Sequence, residues 1–368
     1  MSRMMRVARL HKSGEPLHID KVEVPAPGPK DVLVEVQACG IVPNMLNVAH
    51  LYREIFPHIV VPELPAVFGL DAAGVVVEKG SQAHGIEIGD RVYVNPGRHC
   101  GGCYQCRMGR FEQCPAFALA GYIGAPLAAP IFKDYPFGAL GEFLPAPTYS
   151  LVDLPDNVSF DVGARFGYLG TGYRGLRLAE VGPGTTLLIN GISGTLGLGV
   201  ALLALAMGAR KVLGTGRNRD LLERVRAIDP SRIDVHSTHD AENVCDWARR
   251  LTGGFGPAAV VDCLGPDAPT AAAAQVINAM ARGGKYVTVG VVGEIPLELN
   301  QLMDSNRQVL GSCWFSTADA QHMADLMGIG HVDLSVFEHE AFKLDDINEA
   351  LEGLSQRHGG FSNFVLHP

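Results

Sequence analysis

Four of the eight cysteines, Cys100, Cys103, Cys106 and Cys114, stand in the pattern C-x2-C-x2-C-x7-C. Four thiolates this close together can surround one Zn²⁺ tetrahedrally at ~2.3 Å. Gly101, Gly102 and Gly109 lie among them and permit the tight turns that bring sulfurs together. An iron–sulfur cluster is the chemical rival. There the fourth cysteine follows after about three residues and precedes Pro. Here Pro115 does follow Cys114, but the gap is seven residues, which favours zinc over a cluster or free thiols. With all four positions filled by protein there is no room for substrate, so this zinc is expected to be structural.

A second chemical motif follows a short apolar run. Residues 187–190 read as a strand, Gly191-Ile192-Ser193-Gly194-Thr195-Leu196-Gly197 as a glycine loop, and the stretch to Met207 as a helix. A glycine turn between strand and helix lets backbone N–H groups and the helix N-terminus hold a pyrophosphate. The alternative is a purely structural glycine turn. The next strand, from Lys211, ends at Gly216, 19 residues after Gly197, where an acid on the ribose 2′-OH would select NAD. Arg217, Asn218 and Arg219 follow instead. Arginine attracts a 2′-phosphate, so the site reads as NADP(H)-binding, against the alternative of an unliganded surface arginine.

The elements that must position these motifs fall into two styles. Residues 1–150 carry short β-branched runs at 32–36, 73–78 and 90–94 between Gly/Pro clusters, which suggests a compact β-barrel-like domain. From about residue 160, apolar runs at 185–189, 211–214, 258–262 and 285–290 alternate with helical patterns, which implies a parallel sheet covered by helices. An amphipathic helix is expected to start at Asp345. The uncharged stretch 187–209 is long enough for a membrane span, but Asn190, Ser193 and its glycines fit a buried strand, loop and helix better.

Composition narrows the partners. The chain has 368 residues, 47% hydrophobic and 19% charged, so it is no disordered protein. Its net charge of −9 and the absence of a basic stripe argue against nucleic acid. No secretory signal is evident, so a cytoplasmic protein without a membrane partner is expected.

A four-cysteine lobe in a β-rich first half, followed by a dinucleotide motif, resembles the zinc-containing medium-chain dehydrogenase/reductase family. The resemblance covers nearly the whole chain. It is carried by Ala38-Cys39-Gly40-Ile41, by 67–74, by Gly89-Asp90-Arg91-Val92, by the cysteine lobe, by Thr171-Gly172-Tyr173, by the glycine loop and by Gly283-Gly284-Lys285. The loop looks more like the quinone-reductase branch than the alcohol-dehydrogenase branch. The resemblance implies an α/β fold: a GroES-like β-barrel domain at 1–156 with a zinc lobe at about 97–116, and a Rossmann doubly wound parallel sheet domain at 157–310. The remainder, 311–368, would return to the barrel domain. Substrate would sit in the cleft between the domains. The nicotinamide would lie near Thr171, Val289 and Val291, and homodimers or homotetramers would be usual.

The departures from that family bear on the chemistry. Its alcohol dehydrogenases hold a catalytic zinc on three ligands, and this chain has Val42, Leu70 and Gly167 at the matching places. Val, Leu and Gly side chains cannot coordinate a cation. Asp71 persists at the family's neighbouring acidic position. An unusual replacement site using His50 or His58 is the alternative. Asn44 stands where a proton-relaying hydroxyl is usual, and Asn47 where a relay histidine is usual.

Hydride transfer without a Lewis acid suits an already polarised acceptor: a conjugated C=C, a quinone or an iminium ion. Tyr168 is the candidate acid, against a buried structural tyrosine. Asn44 is a candidate oxyanion donor, against a turn-stabilising asparagine. Leu46, Tyr52, Phe56, Phe117, Tyr122 and Trp314 would line a pocket for a small hydrophobic substrate. The expected function is therefore an NADPH-dependent reductase of an activated double bond. The alternatives are an alcohol dehydrogenase or carbonyl reductase with a non-zinc acid or atypical metal, and a non-enzymatic cofactor-binding protein.

Overall fold

The computed structural model describes residues 3–45, 47–48, 58–266, 268–290 and 293–368. Its first half is built on one long strand, Asp31–Gly40, whose run of Val and Leu is almost wholly buried. That strand pairs antiparallel with Asp71–Lys79 on one edge. Its other edge is shared by Phe143–Pro147 and by the final strand, Ser362–His367. Pro145 and Pro147 are tolerated there because the strand lies at an edge. A register shift between Val36 and Ala38 bends the pair, as barrel closure requires. Arg91–Val94 and Leu151–Asp153 extend the sheet on one side and Glu338–Lys343 on the other. A smaller sheet, His18–Glu23, Met4–Leu10 and Ala66–Val67, packs against it around a core that includes Met5, Leu33, Phe68 and Leu140.

The second half alternates strand and helix. Its strands are, in chain order, Thr186–Asn190, Lys211–Gly216, Ile233–Ser237, Ala259–Asp262, Lys285–Thr288 and Gln308–Gly311, all parallel. In space they run third, second, first, fourth, fifth, sixth. The order reverses between the first and fourth strands, the crevice where ligands bind in doubly wound sheets. Two strands, Ile233–Ser237 and Gln308–Gly311, lie outside the four runs singled out in the sequence. Edge positions allow them more polar or exposed side chains.

The uncharged stretch resolves into the strand Thr186–Asn190, a loop and the helix Thr195–Ala206, which is buried from Gly197 to Ala204. It is apolar all round because it lies between the sheet and the helix Phe166–Leu178. Among the described residues no helix is long and apolar enough to cross a membrane. Trp314, with φ +64°, packs against the cores of both halves where the chain leaves the parallel sheet.

Candidate active site

The cysteine lobe is a loop folded back on itself. Cys103 caps the short helix Tyr104–Arg107, and its sulfur accepts the Cys106 N–H. Gly101 and Gly109, both at φ +72°, make the two reversals. The nearest sulfur pairs are 3.5 Å (Cys103–Cys106), 3.6 Å (Cys114–Cys100) and 3.8 Å (Cys103–Cys114). A tetrahedron of ~2.3 Å zinc–sulfur bonds has edges of about 3.8 Å, so the four thiols fit one Zn²⁺. Backbone N–H groups of Gly102 and Cys103 draw Cys100 down to about 6, while burial and its neighbouring thiols push Cys106 up to about 12. A dication would relieve that conflict by stabilising all four thiolates.

The glycine loop leaves its strand at Gly191, φ +85°, where the N–H groups of Gly191 and Ile192 both donate to the Thr215 carbonyl. Gly194 caps the helix Thr195–Ala206 with no side-chain bond, so that helix's first N–H groups have no partner within the helix. A side chain at Gly197 would overlap the Gly191 carbonyl, so glycine is needed there. The Thr195 hydroxyl is buried without a partner among the described residues, a free polar group at a helix N-terminus. At the end of the next strand a side chain on Gly216 would meet the Ser193 hydroxyl. Asn218 caps the helix Arg219–Arg226, and Arg219 pairs with Asp240 at 2.6 Å. Arg217 is exposed beside this bare floor. These features fit a dinucleotide, which Gly194, Thr195 and Gly216 would hold.

Beneath the loop lies a polar knot that sequence reasoning did not find. Asp262, fully buried at the end of its strand, accepts from Asn190 Nδ2 (2.9 Å), Tyr286 OH (2.9 Å) and Leu264 N (2.9 Å). Thr215 donates to Asn190 Oδ1 at 2.6 Å. The network ties the ends of three adjacent strands together at the switch point, and Tyr286 joins from two residues lower on the fourth strand. Asn190, Thr215 and Asp262 looked like ordinary strand-end residues, and only the register of the sheet brings them together.

On the barrel side, a pocket between the two halves is lined by Val42, Pro43, Arg165, Tyr168, Thr195 and Arg357. Tyr168 makes no hydrogen bond among the described residues. Burial and the Asp71 carboxylate raise its pKa, and Arg357 and Arg165 oppose that rise. Arg165 is itself held by the carbonyls of Ser362 (2.7 Å) and Gly360 and lies over the Phe337 ring at 4.3 Å. Asn44 is exposed, and its Oδ1 accepts from Tyr122 OH at 3.0 Å. Thr171 donates to the Gly167 carbonyl at 2.7 Å within its helix. Val289 packs on Gly175. Val291, His50, Leu46, Tyr52 and Phe56 lie outside the described residues.

Asp71 is 1% exposed. It accepts from Tyr93 OH at 2.9 Å and lies against the Gly167 backbone. Burial pushes its carboxyl up to about 7 against the pull of Tyr93, the Gly167 backbone and Arg165. Val42 and Leu70, buried and apolar, complete the neighbourhood in which the family holds its catalytic metal. Among the described residues the four cysteines are the one group of three or more His, Cys, Asp or Glu side chains that converges as a metal site would. The described residues of the cleft therefore do not fit a catalytic zinc, whereas those of the lobe fit a structural one.

Comparison with known proteins agrees with this architecture. Residues 28–156 match the model of the alcohol dehydrogenase GroES-like domain, and residues 195–328 match that of the zinc-binding dehydrogenases. The NAD-dependent alcohol dehydrogenase of Sulfolobus acidocaldarius is 28% identical over 357 residues, 96% of each chain. The L-threonine 3-dehydrogenase of Deinococcus radiodurans is 29% identical over 301 residues, 81% of this chain and 80% of that one. Among solved structures, AibC superposes with a TM-score of 0.84 at 26% identity, covering 100% of this chain and 97% of that one. A fold so built, with a lobe so furnished, is that of a zinc-type oxidoreductase. The chain belongs to the alcohol dehydrogenase-like medium-chain dehydrogenase/reductase family, with a GroES-like domain and a Rossmann domain.

Proposed function

We propose that this protein is an NADPH-dependent reductase of a polarised double bond, a conjugated C=C or an iminium or quinone, in a small hydrophobic molecule. The observation that carries the proposal is the state of the family's metal position. Val42, Leu70 and Gly167 offer no side-chain donor atoms, and the Asp71 carboxylate, bonded to Tyr93, fills the space a side chain at 167 would need. Without a Lewis acid the developing charge must be met by hydrogen bonds. A conjugated acceptor spreads that charge over several atoms and needs less help than a bare alkoxide.

Bound in this cleft, NADPH would supply the hydride. The glycine loop and Thr195 bind its pyrophosphate, and Arg217 favours a 2′-phosphate over the bare ribose of NADH. Tyr168 lines the pocket and makes no hydrogen bond among the described residues; burial and Asp71 raise its pKa, so the hydroxyl keeps its proton, and Arg357 and Arg165 oppose that rise. Tyr168 would give up its O–H proton to the α-carbon of the acceptor. The phenolate then recovers a proton from water. Asn44 donates its amide N–H to the acceptor's carbonyl oxygen while its own carbonyl is held by Tyr122. A side-by-side assay of α,β-unsaturated ketones and saturated aldehydes with NADPH tests the proposal. The enones should turn over at least a hundredfold faster, because each 1.36 kcal/mol of missing stabilisation costs about tenfold in rate. Equal rates would defeat it.

The alcohol and threonine dehydrogenases among the relatives favour a second reading, an alcohol dehydrogenase or carbonyl reductase that uses a non-zinc acid or an atypical metal site. In that case saturated aldehydes or alcohols would be the better substrates.

A further inference from the structure

The helix Phe166–Leu178 carries Gly167, Tyr168 and Thr171, yet it is a poor helix by composition. It contains four glycines, Gly167, Gly170, Gly172 and Gly175, each ~1 kcal/mol worse than alanine. Each of the four lets another group approach: Asp71, Phe315, Val200 and Val289 respectively. A helix so weak along its own backbone depends on outside contacts for its position.

One of those contacts comes from the cysteine lobe. Glu112, on the turn Phe111–Gln113 between Cys106 and Cys114, accepts from Arg174 Nη2 at 2.9 Å. The other arm of Arg174 faces Asp319 at 3.7 Å, and Arg177, one turn on, also pairs with Asp319. Asp319 is fully buried and closes a capping box with Ser316, whose hydroxyl donates to it at 2.8 Å. Ser316 directly follows Trp314 and Phe315, and Trp314 Nε1 donates to Asn95 Oδ1 at 2.9 Å. A single arginine thus pins the cysteine lobe, the cleft helix and the segment leaving the parallel sheet. The Glu112 and Arg174 side chains are only 15% and 23% exposed, so solvent screens the pair less than a surface one.

We propose that Glu112 is a positioning residue. Through Arg174 it makes the cysteine lobe hold the helix Phe166–Leu178, and with it Tyr168 and Thr171, in register for the nicotinamide end of the cofactor. This rests on the dinucleotide reading of the cleft. It assigns the lobe a role in affinity as well as in stability.

The test is Glu112→Ala in the full chain with zinc bound. Zinc content should stay at one per chain. The Kd for NADPH should rise about fivefold or more, the lower end of measured coupling between distant sites. The Kd for adenosine 2′,5′-bisphosphate, which lacks the nicotinamide end, should not move. Glu112→Gln keeps a carbonyl acceptor for Arg174 and should recover most of the loss. If Glu112→Ala does not fold, Arg174→Ala should give the same pattern, since Arg177 still faces Asp319. Hydrogen exchange should quicken across 166–178 and not across 100–114, and that readout holds even if the chain bound no nicotinamide nucleotide. Loss of zinc in Glu112→Ala, an unchanged NADPH affinity, equal weakening of both ligands, or unchanged exchange across 166–178 would overturn the proposal.

Discussion

The carboxylate of Asp71 lies against the backbone of Gly167, and a methyl group at Gly167 would fall on that carboxylate. Glycine at 167 leaves the space that the Asp71 carboxylate occupies. Gly167→Ala should therefore lower stability by ~1–3 kcal/mol, the cost of overpacking a filled core. In an Asp71→Ala background the same change should cost much less. A thermal-denaturation cycle on the four proteins measures this coupling, and additive losses would contradict it.

Asp71 also makes stability depend on pH. Its folded pKa is raised from 3.8 to about 7, so the folded state holds a proton that the unfolded state releases. The favourable contribution is complete below about pH 4 and is lost as pH rises through about 7. Asp71→Asn removes this titration, on the order of a few kcal/mol for a fully buried group. The variant should lose less stability than the native chain between pH 5 and pH 8. Parallel pH profiles for the two proteins would count against the buried, protonated Asp71.

Elemental analysis should find one zinc per chain. Cys103→Ser should lose that zinc and several kcal/mol of stability, because metal binding to a closed thiolate site is folding free energy. Two tightly held zincs in the native chain would show a metal site outside the cysteine lobe.

NADPH should bind more tightly than NADH. Arg217→Ala should weaken NADPH by ~1.5–3 kcal/mol, the size of a hydrogen bond to a charged group, and leave NADH little changed. Calorimetric titration of both cofactors against both proteins checks this. Equal affinities in the native chain would remove Arg217 from the site.

Much of the architecture was legible in the residues because periodicity and spacing are local. The strands at 32–36, 73–78 and 90–94 and the strand–loop–helix around Gly191 lie where β-branched runs and glycines put them. The cysteine spacing alone implied convergent sulfurs. Contacts between distant segments were not legible. Tyr93 gave no sign that it would meet Asp71, and Arg165 none that it would hold the carbonyls of Ser362 and Gly360. Glu112 carried one weak signal, an acid inside a metal loop, but its partner Arg174 lies 62 residues on and only the fold supplies it.

The most direct measurement of the central claim follows the hydride itself. NADPH carrying deuterium at the transferable C4 position is incubated with the protein and an α,β-unsaturated ketone, and the product is read by NMR. Deuterium at the β-carbon of a saturated ketone is the predicted result. Deuterium at the carbinol carbon of an unsaturated alcohol would contradict it, and would mean that the chain reduces carbonyls despite Val42, Leu70 and Gly167.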